Sequence, residues 1–334
     1  MRRNLFRLAL TLAVLVMLPL PFAGGAKAAD VTLKIAHVAP PTASFQINAE
    51  RFGKHLKEMS GGTMEVEVIG GGALGNLVQL WAQLRAGTLD MHVIDIGAML
   101  PMKEARNFFI IVMPYLFRDQ THWHTFLASD TFKDMMGKVE EGTGIKFVGP
   151  LGDRPPRALT TKNTPVKTPA DLKGLKVRTP LNPAITGVFK AWGASPTPVK
   201  ASELYSALQS GLVDGQDNGI AAVVQAAYYE VQKYYMPIDY MRTGIGLWMS
   251  GTRWASLTDQ QKGWVMAAAT AANKEANDAF PQEYETWMAT AKAKGMEIVQ
   301  PDIEAFRAAA QPMIQGMEGK AWPAGLYDKI HGMK

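Results

Sequence analysis

Residues 174–218 read GLKVRTPLNPAITGVFKAWGASPTPVKASELYSALQSGLVDGQDN and admit few backbone solutions. Lys176 to Thr179 is β-prone and carries one internal cation, Arg178. Pro180 and Pro183 stop a strand there, because proline gives no donor to a ladder. Asn182 before Pro183 is a helix start: the amide caps free N–H groups, and proline suits the first helical position. Val188, Phe189 and Trp192 follow at helical spacing, and Gly193 closes that helix. Pro196 and Pro198 predict a turn, Ser202 the cap of a second helix that Gly211 ends, and Asp214–Asn218 (DGQDN) an acidic loop.

The flanks carry the same alternation. Val31 to Val38 alternates as a strand. Phe45, Ala49, Phe52, Leu56 and Met59 form one helical stripe, and Met64 to Ile69 is a second strand. Strand, helix, strand at this length is a parallel crossover unit. The glycine-rich run at 70–75 lacks the Gly-Lys-Ser/Thr ending of a phosphate loop, so no nucleotide and no other cofactor is expected. A helix from Leu77 to Arg85 and a strand from Asp90 to Ile94 follow, placing Asp95 at a strand C-terminus, where open α/β sheets bind ligands. Ile220 to Tyr235 reads as one helix. Thr258 with Gln261 opens a long alanine-rich helical region reaching about Lys294, with Pro281 inside it.

Residues 1–28 read as a secretory signal peptide: Arg2, Arg3 and Arg7, an apolar run from Leu8 to Leu20, then Ala26-Lys27-Ala28 before a cleavage point. Their removal changes the charge argument. Of 35 Lys and Arg, four lie in this segment, leaving 31 against 30 Asp and Glu, a net charge of +1. No basic block remains for nucleic acid. The chain has no cysteine, so an oxidising compartment would be used without disulfides.

DLKGLKVR at 171–178, GASPTPV at 193–199, SELYSALQSGLVDGQDN at 202–218 and YEVQKYY at 229–235 resemble, in order and spacing, the DctP-type solute receptors of TRAP (tripartite ATP-independent periplasmic) transporters. Weaker likeness covers nearly all of the chain after residue 28. The resemblance implies an α/β, two-lobe periplasmic-binding-protein-like fold with a hinge and long C-terminal helices. Lobe 1 is expected at 29–152 plus about 243–300, lobe 2 at 153–242, and a C-terminal helical segment at 301–334.

In the resembled family an Arg after the LKG turn grips the ligand carboxylate, and Arg178 matches it. A guanidinium offers parallel N–H donors to two carboxylate oxygens. From the residues alone, a structural ion pair for Arg178 stays open. Arg157 matches a second ligand-facing Arg, with Arg154 close by. Asn218 matches a pocket Asn, although Asn is equally at home in a turn. Asn182 and its helix N-terminus would add donors for an anion. Asp95 matches an acidic pocket position and also reads as a solvated loop carboxylate. Ala201 replaces a bulky aromatic of many relatives. Trp81 and Trp248 are then candidates for the cleft wall or simply core, and a larger or aromatic acid would suit such a pocket.

The residues show no GxSxG, HExxH or SxxK motif, and His122-x-His124 has no completing metal ligand and reads as a surface pair. The expected function is the periplasmic substrate-binding subunit of a TRAP transporter. It would capture a small organic acid through an Arg–carboxylate clamp and deliver it to an ion-gradient-driven membrane permease. The rivals are a secreted lyase or hydrolase acting on a carboxylic acid, and a sensory binding protein.

Overall fold

The structure is a computed structural model that describes residues 29–99 and 103–334. The signal-peptide reading of residues 1–28 lies outside the described residues. The strands, in chain order, are β1 Val31–Ala36, β2 Met64–Ile69, β3 Met91–Asp95, β4 Ile145–Asp153, β5 Ala158–Thr161, β6 Lys176–Thr179, β7 Ser195–Pro198, β8 Gly215–Asn218, β9 Tyr234–Met236, β10 Gly244–Ser250 and β11 Glu297–Ile298. They form two sheets, of order β2-β1-β3-β10-β4 and β11-β9-β5-β8-β6-β7. Each sheet is the centre of one lobe of a two-lobe α/β fold with long C-terminal helices.

In the first sheet β1 runs parallel to β2 and β3, and β10 is antiparallel to both β3 and β4. The stripe from Ser44 to Met59 is helical as its spacing predicts, burying Ala49, Phe52 and Leu56 beside Leu33 and Ile35. The chain crosses to the second sheet between β4 and β5 and returns between β9 and β10. It crosses again along the helix Asp259–Ala293, opened by the expected Thr258–Gln261 capping box. At about 1.5 Å per residue this helix is roughly 50 Å long. It buries Val265, Ala268 and Ala272 against the first sheet and Ala291 against the second. It is therefore a spine common to both lobes. β11, placed on sequence grounds with the first lobe, pairs with β9 in the second sheet.

Five local expectations are overturned. The proline turn at 195–198 is strand β7, parallel to β6 at the edge of the sheet. An edge strand tolerates proline because one of its sides needs no donors. The DGQDN loop is β8, between β5 and β6 in the sheet interior. A Cβ on Gly215 would sit 2.2 Å from the Thr160 carbonyl oxygen, so this strand needs glycine at the close approach. The helix from Ile220 stops at Gln225, because Ala227 adopts a left-handed conformation with φ 53°. Ser202 caps nothing; it lies inside a 3₁₀ turn, Ala201–Glu203, that leads into the helix Leu204–Gln209. His122 is buried, with Nε2 2.8 Å from the Ile330 carbonyl, whereas His124 is exposed and pairs with Asp153 at 2.9 Å.

His92, on β3, is fully buried with Nδ1 2.8 Å from the Ala36 carbonyl. Burial pushes its pKa down to about 4, with the bond to Ala36 opposing the shift and His37 adding to it. The unfolded chain binds this proton near pH 6.5, the folded one only near 4, so acidification through that window favours unfolding. Urea denaturation should show stability falling from pH 6.5 to 4, with a shallower fall for His92→Leu. An identical slope in the variant would remove His92 from the acid response.

Candidate ligand-binding site

A cavity of about 420 Å³ lies between the lobes. Its first-lobe wall comes from the loop after β1, the N-terminus of helix Leu77–Ala86 and the end of β3. Its second-lobe wall comes from the ends of β6 and β8 and the helices that follow them. Arg178, Arg157, Asn218, Asn182 and Asp95 all line it. Trp81 and Trp248 do not: they pack edge to face at 5.3 Å in the first-lobe core. The Trp81 face of its helix, with Leu80 and Leu84, turns to the sheet, and Asn76 and Leu77 turn to the cavity. The aromatic wall is instead Phe45 and Tyr228.

Arg178 sits on β6, two residues before the proline stop, and is 4% exposed. Its Nε donates to the Val199 carbonyl at 3.0 Å. Among the described residues no carboxylate forms an ion pair with it, and its terminal nitrogens have no hydrogen-bond partner. Burial pulls its pKa down to about 10, against the attraction of Asp217. An isolated buried charge is costly, and this one faces the cavity without a counter-ion.

Arg157 is committed elsewhere. Its Nε donates to Asp217 Oδ2 at 2.7 Å and an Nη to the Asp217 carbonyl at 2.6 Å. Burial opposes its charge, but Asp217, with Tyr240 and Asp95, more than offsets this and holds the guanidinium protonated. Tyr240 donates to the same Asp217 oxygen at 2.5 Å. Asp95 is likewise engaged: Arg154 pairs with it, Thr243 donates to it at 2.6 Å and the Gly97 N–H at 2.7 Å. It is neither a solvated loop carboxylate nor a free acceptor. Asn182 caps the helix Pro183–Ala191 through its amide oxygen, accepting from Ala184 and Ile185, which leaves its NH₂ available. Asn218 donates to Gln216 at 2.7 Å, which leaves its amide oxygen.

Two cavity residues escape sequence reasoning. Tyr228 reads as core in an apolar helical stripe, but the break at Ala227 turns its phenol into the cavity beside Arg178. Arg154 stacks on Phe45, its guanidinium carbon 5.2 Å from the ring centre, a contact between residues 109 apart in the chain that no local pattern encodes.

The lobes are joined at the rim. Thr42 donates to the Gln225 carbonyl at 2.8 Å, the Ser44 N–H to Gln225 Oε1 at 3.2 Å, and Gln225 Nε2 to Ser44 Oγ at 2.9 Å. Gln225→Ala removes the two side-chain bonds, each contributing about 0.5–1.5 kcal/mol. Titration calorimetry should show affinity reduced roughly tenfold, since closure and binding are linked. Unchanged affinity would mean that the latch is not part of the bound state.

Two α/β lobes around an interlobe cavity with one unpaired cation define a bilobal solute-binding protein. The profile of the bacterial extracellular solute-binding proteins, family 7 (DctP), matches residues 35–320, and the chain belongs to that family. It is a DctP-type periplasmic solute-binding protein of TRAP transporters. It is 30% identical over 289 residues to the solute-binding protein RD1_1052 of Roseobacter denitrificans, covering 86% of this chain and 87% of that one. It is 29% identical over 294 residues to the sialic acid-binding periplasmic protein SiaP of Vibrio cholerae, covering 85% and 88%. A TRAP periplasmic solute-binding protein of Bordetella bronchispeptica, with density interpreted as pantoate, superposes with TM-score 0.84 at 30% identity, covering 91% and 99%. One from Polaromonas bound to D-erythronate gives TM-score 0.85 at 25% identity, with the same coverage. The family binds solutes, is not catalytic, and passes its ligands to TRAP membrane permease subunits. No group of three or more His, Asp or Glu among the described residues is placed to hold a metal.

Proposed function

We propose that the ligand is a small organic acid whose carboxylate is taken by the terminal nitrogens of Arg178. Tyr228, Asn182 and the free donor of Arg157 would complete its hydrogen bonds. The observation that carries this reading is the buried guanidinium facing the cavity without a carboxylate of its own. The ligands named for the relatives above, sialic acid, pantoate and D-erythronate, are all carboxylic acids, which supports the same chemistry. In this reading residues 1–28 direct export and are removed, with residues 153–242 the core of the second lobe. The closed form then delivers the acid to a permease driven by an ion gradient. Calorimetry against a panel of organic acids tests it: heat of binding should appear with at least one acid and vanish in Arg178→Ala. Binding of full strength in that variant would refute the clamp.

A further inference from the structure

The chemistry of the cavity narrows the acid, on the reading that Arg178 is the clamp. We infer that the ligand is a monocarboxylate with a mainly hydrocarbon body, rather than a dicarboxylate or a polyhydroxy acid.

The charges lining the cavity are nearly all spent. Arg154 is paired with Asp95, which Thr243 and Gly97 also hold. Arg157 is paired with Asp217, which Tyr240 also holds. Asp153 binds His124 with both oxygens at 2.9 Å, and Lys200 pairs with Glu203 at 3.0 Å. One positive charge, Arg178, remains for the ligand. A second carboxylate deep in the cavity would have to strip Arg154 or Arg157 from a buried partner, leaving Asp95 or Asp217 uncompensated, which is expensive; the one looser cation, Lys200, sits exposed at the rim in its pair with Glu203.

The hydrogen-bonding capacity points the same way. A buried sugar-acid hydroxyl needs an acceptor, and leaving it without one weakens binding. The cavity carboxylates Asp95 and Asp153 are already engaged. The side-chain oxygens of Asn76 and Asn182 cap helices. The Asn218 amide oxygen and the Tyr228 phenol remain for a substituent or two near the carboxylate, and Ser202 and Glu203 lie exposed at the rim. Beyond it the walls are Phe45, Leu77, Ile94, Val112, Ile185 and Met241, drawn from both lobes. Arg154, stacked on Phe45, fixes that ring as a flat apolar surface.

The test is calorimetry on ligand-stripped protein with four sodium salts: 2-hydroxyisocaproate, 3-phenyllactate, succinate and D-gluconate. One of the first two should bind at least about tenfold more tightly than succinate and gluconate, in line with what a few buried methylene groups discriminate. Phe45→Ala should remove most of that advantage. If succinate or gluconate binds tightest and depends on Arg178, the hydrocarbon monocarboxylate is wrong and the clamp stands. If none of the four gives heat that Arg178→Ala abolishes, both readings fall.

Discussion

Replacing Arg178 by Met should leave the ligand-free protein at least as stable as the parent while cutting ligand affinity by roughly 30- to 5,000-fold, the equivalent of about 2–5 kcal/mol. The two effects have opposite signs for one reason. Arg178 is 4% exposed and has no carboxylate partner, so in the empty protein its charge is a net cost of folding. The direction of its titration says the same. A base whose pKa falls to about 10 on folding is held in a state that resists its proton. Stability linked to this group is therefore depressed at neutral pH and rises as pH climbs past 10. Methionine keeps the stem packed and drops the charge. The Val199 carbonyl loses its donor, a cost of about 1 kcal/mol that the removed charge offsets. With ligand present, the same substitution strands a buried carboxylate. Thermal melts with and without ligand measure both halves. A variant that melts several degrees lower when empty, yet still binds, would mean that Arg178 is a structural cation.

Asp217→Ala should do the reverse and destabilise the empty protein by about 3–5 kcal/mol in urea denaturation. Asp217 is fully buried on β8 and receives Arg157 Nε and the Tyr240 hydroxyl on one oxygen. Without it Arg157 becomes a second unpaired buried cation and Tyr240 loses its acceptor. The double variant Arg157→Met, Asp217→Leu should recover much of the loss, because removing both charges removes the desolvation cost as well. A loss under about 1 kcal/mol for Asp217→Ala would show that the pair is not what holds β5 against β8. Together the two experiments separate the paired arginine of the cavity from the unpaired one.

How far the sequence reaches is clearest between 174 and 218. The proline stop, the Asn182 cap and the apolar spacing after it are local signals, and the helix Pro183–Ala191 and strand Lys176–Thr179 form where those signals put them. The Thr258–Gln261 box works in the same way, because its partners lie three residues apart. These determine the α/β alternation and set Arg178 at the end of a strand.

Tertiary structure alone decided the rest. DGQDN has the composition of a loop, and it is a sheet-interior strand because Asp217 meets Arg157, 60 residues earlier, and Gln216 meets Thr160. The YEVQKYY segment continues an apolar helical stripe, yet Tyr234–Met236 pairs with β5 as a strand. That pairing needs the left-handed turn at Ala227, and the turn is what aims Tyr228 at the cavity. Trp81 and Trp248 could be assigned to cleft or core only once their sheet was assembled. Local chemistry fixes caps, stops and periodicity within a few residues. Which charges are paired, and which single one is left over for a ligand, is a property of partners brought together from distant parts of the chain.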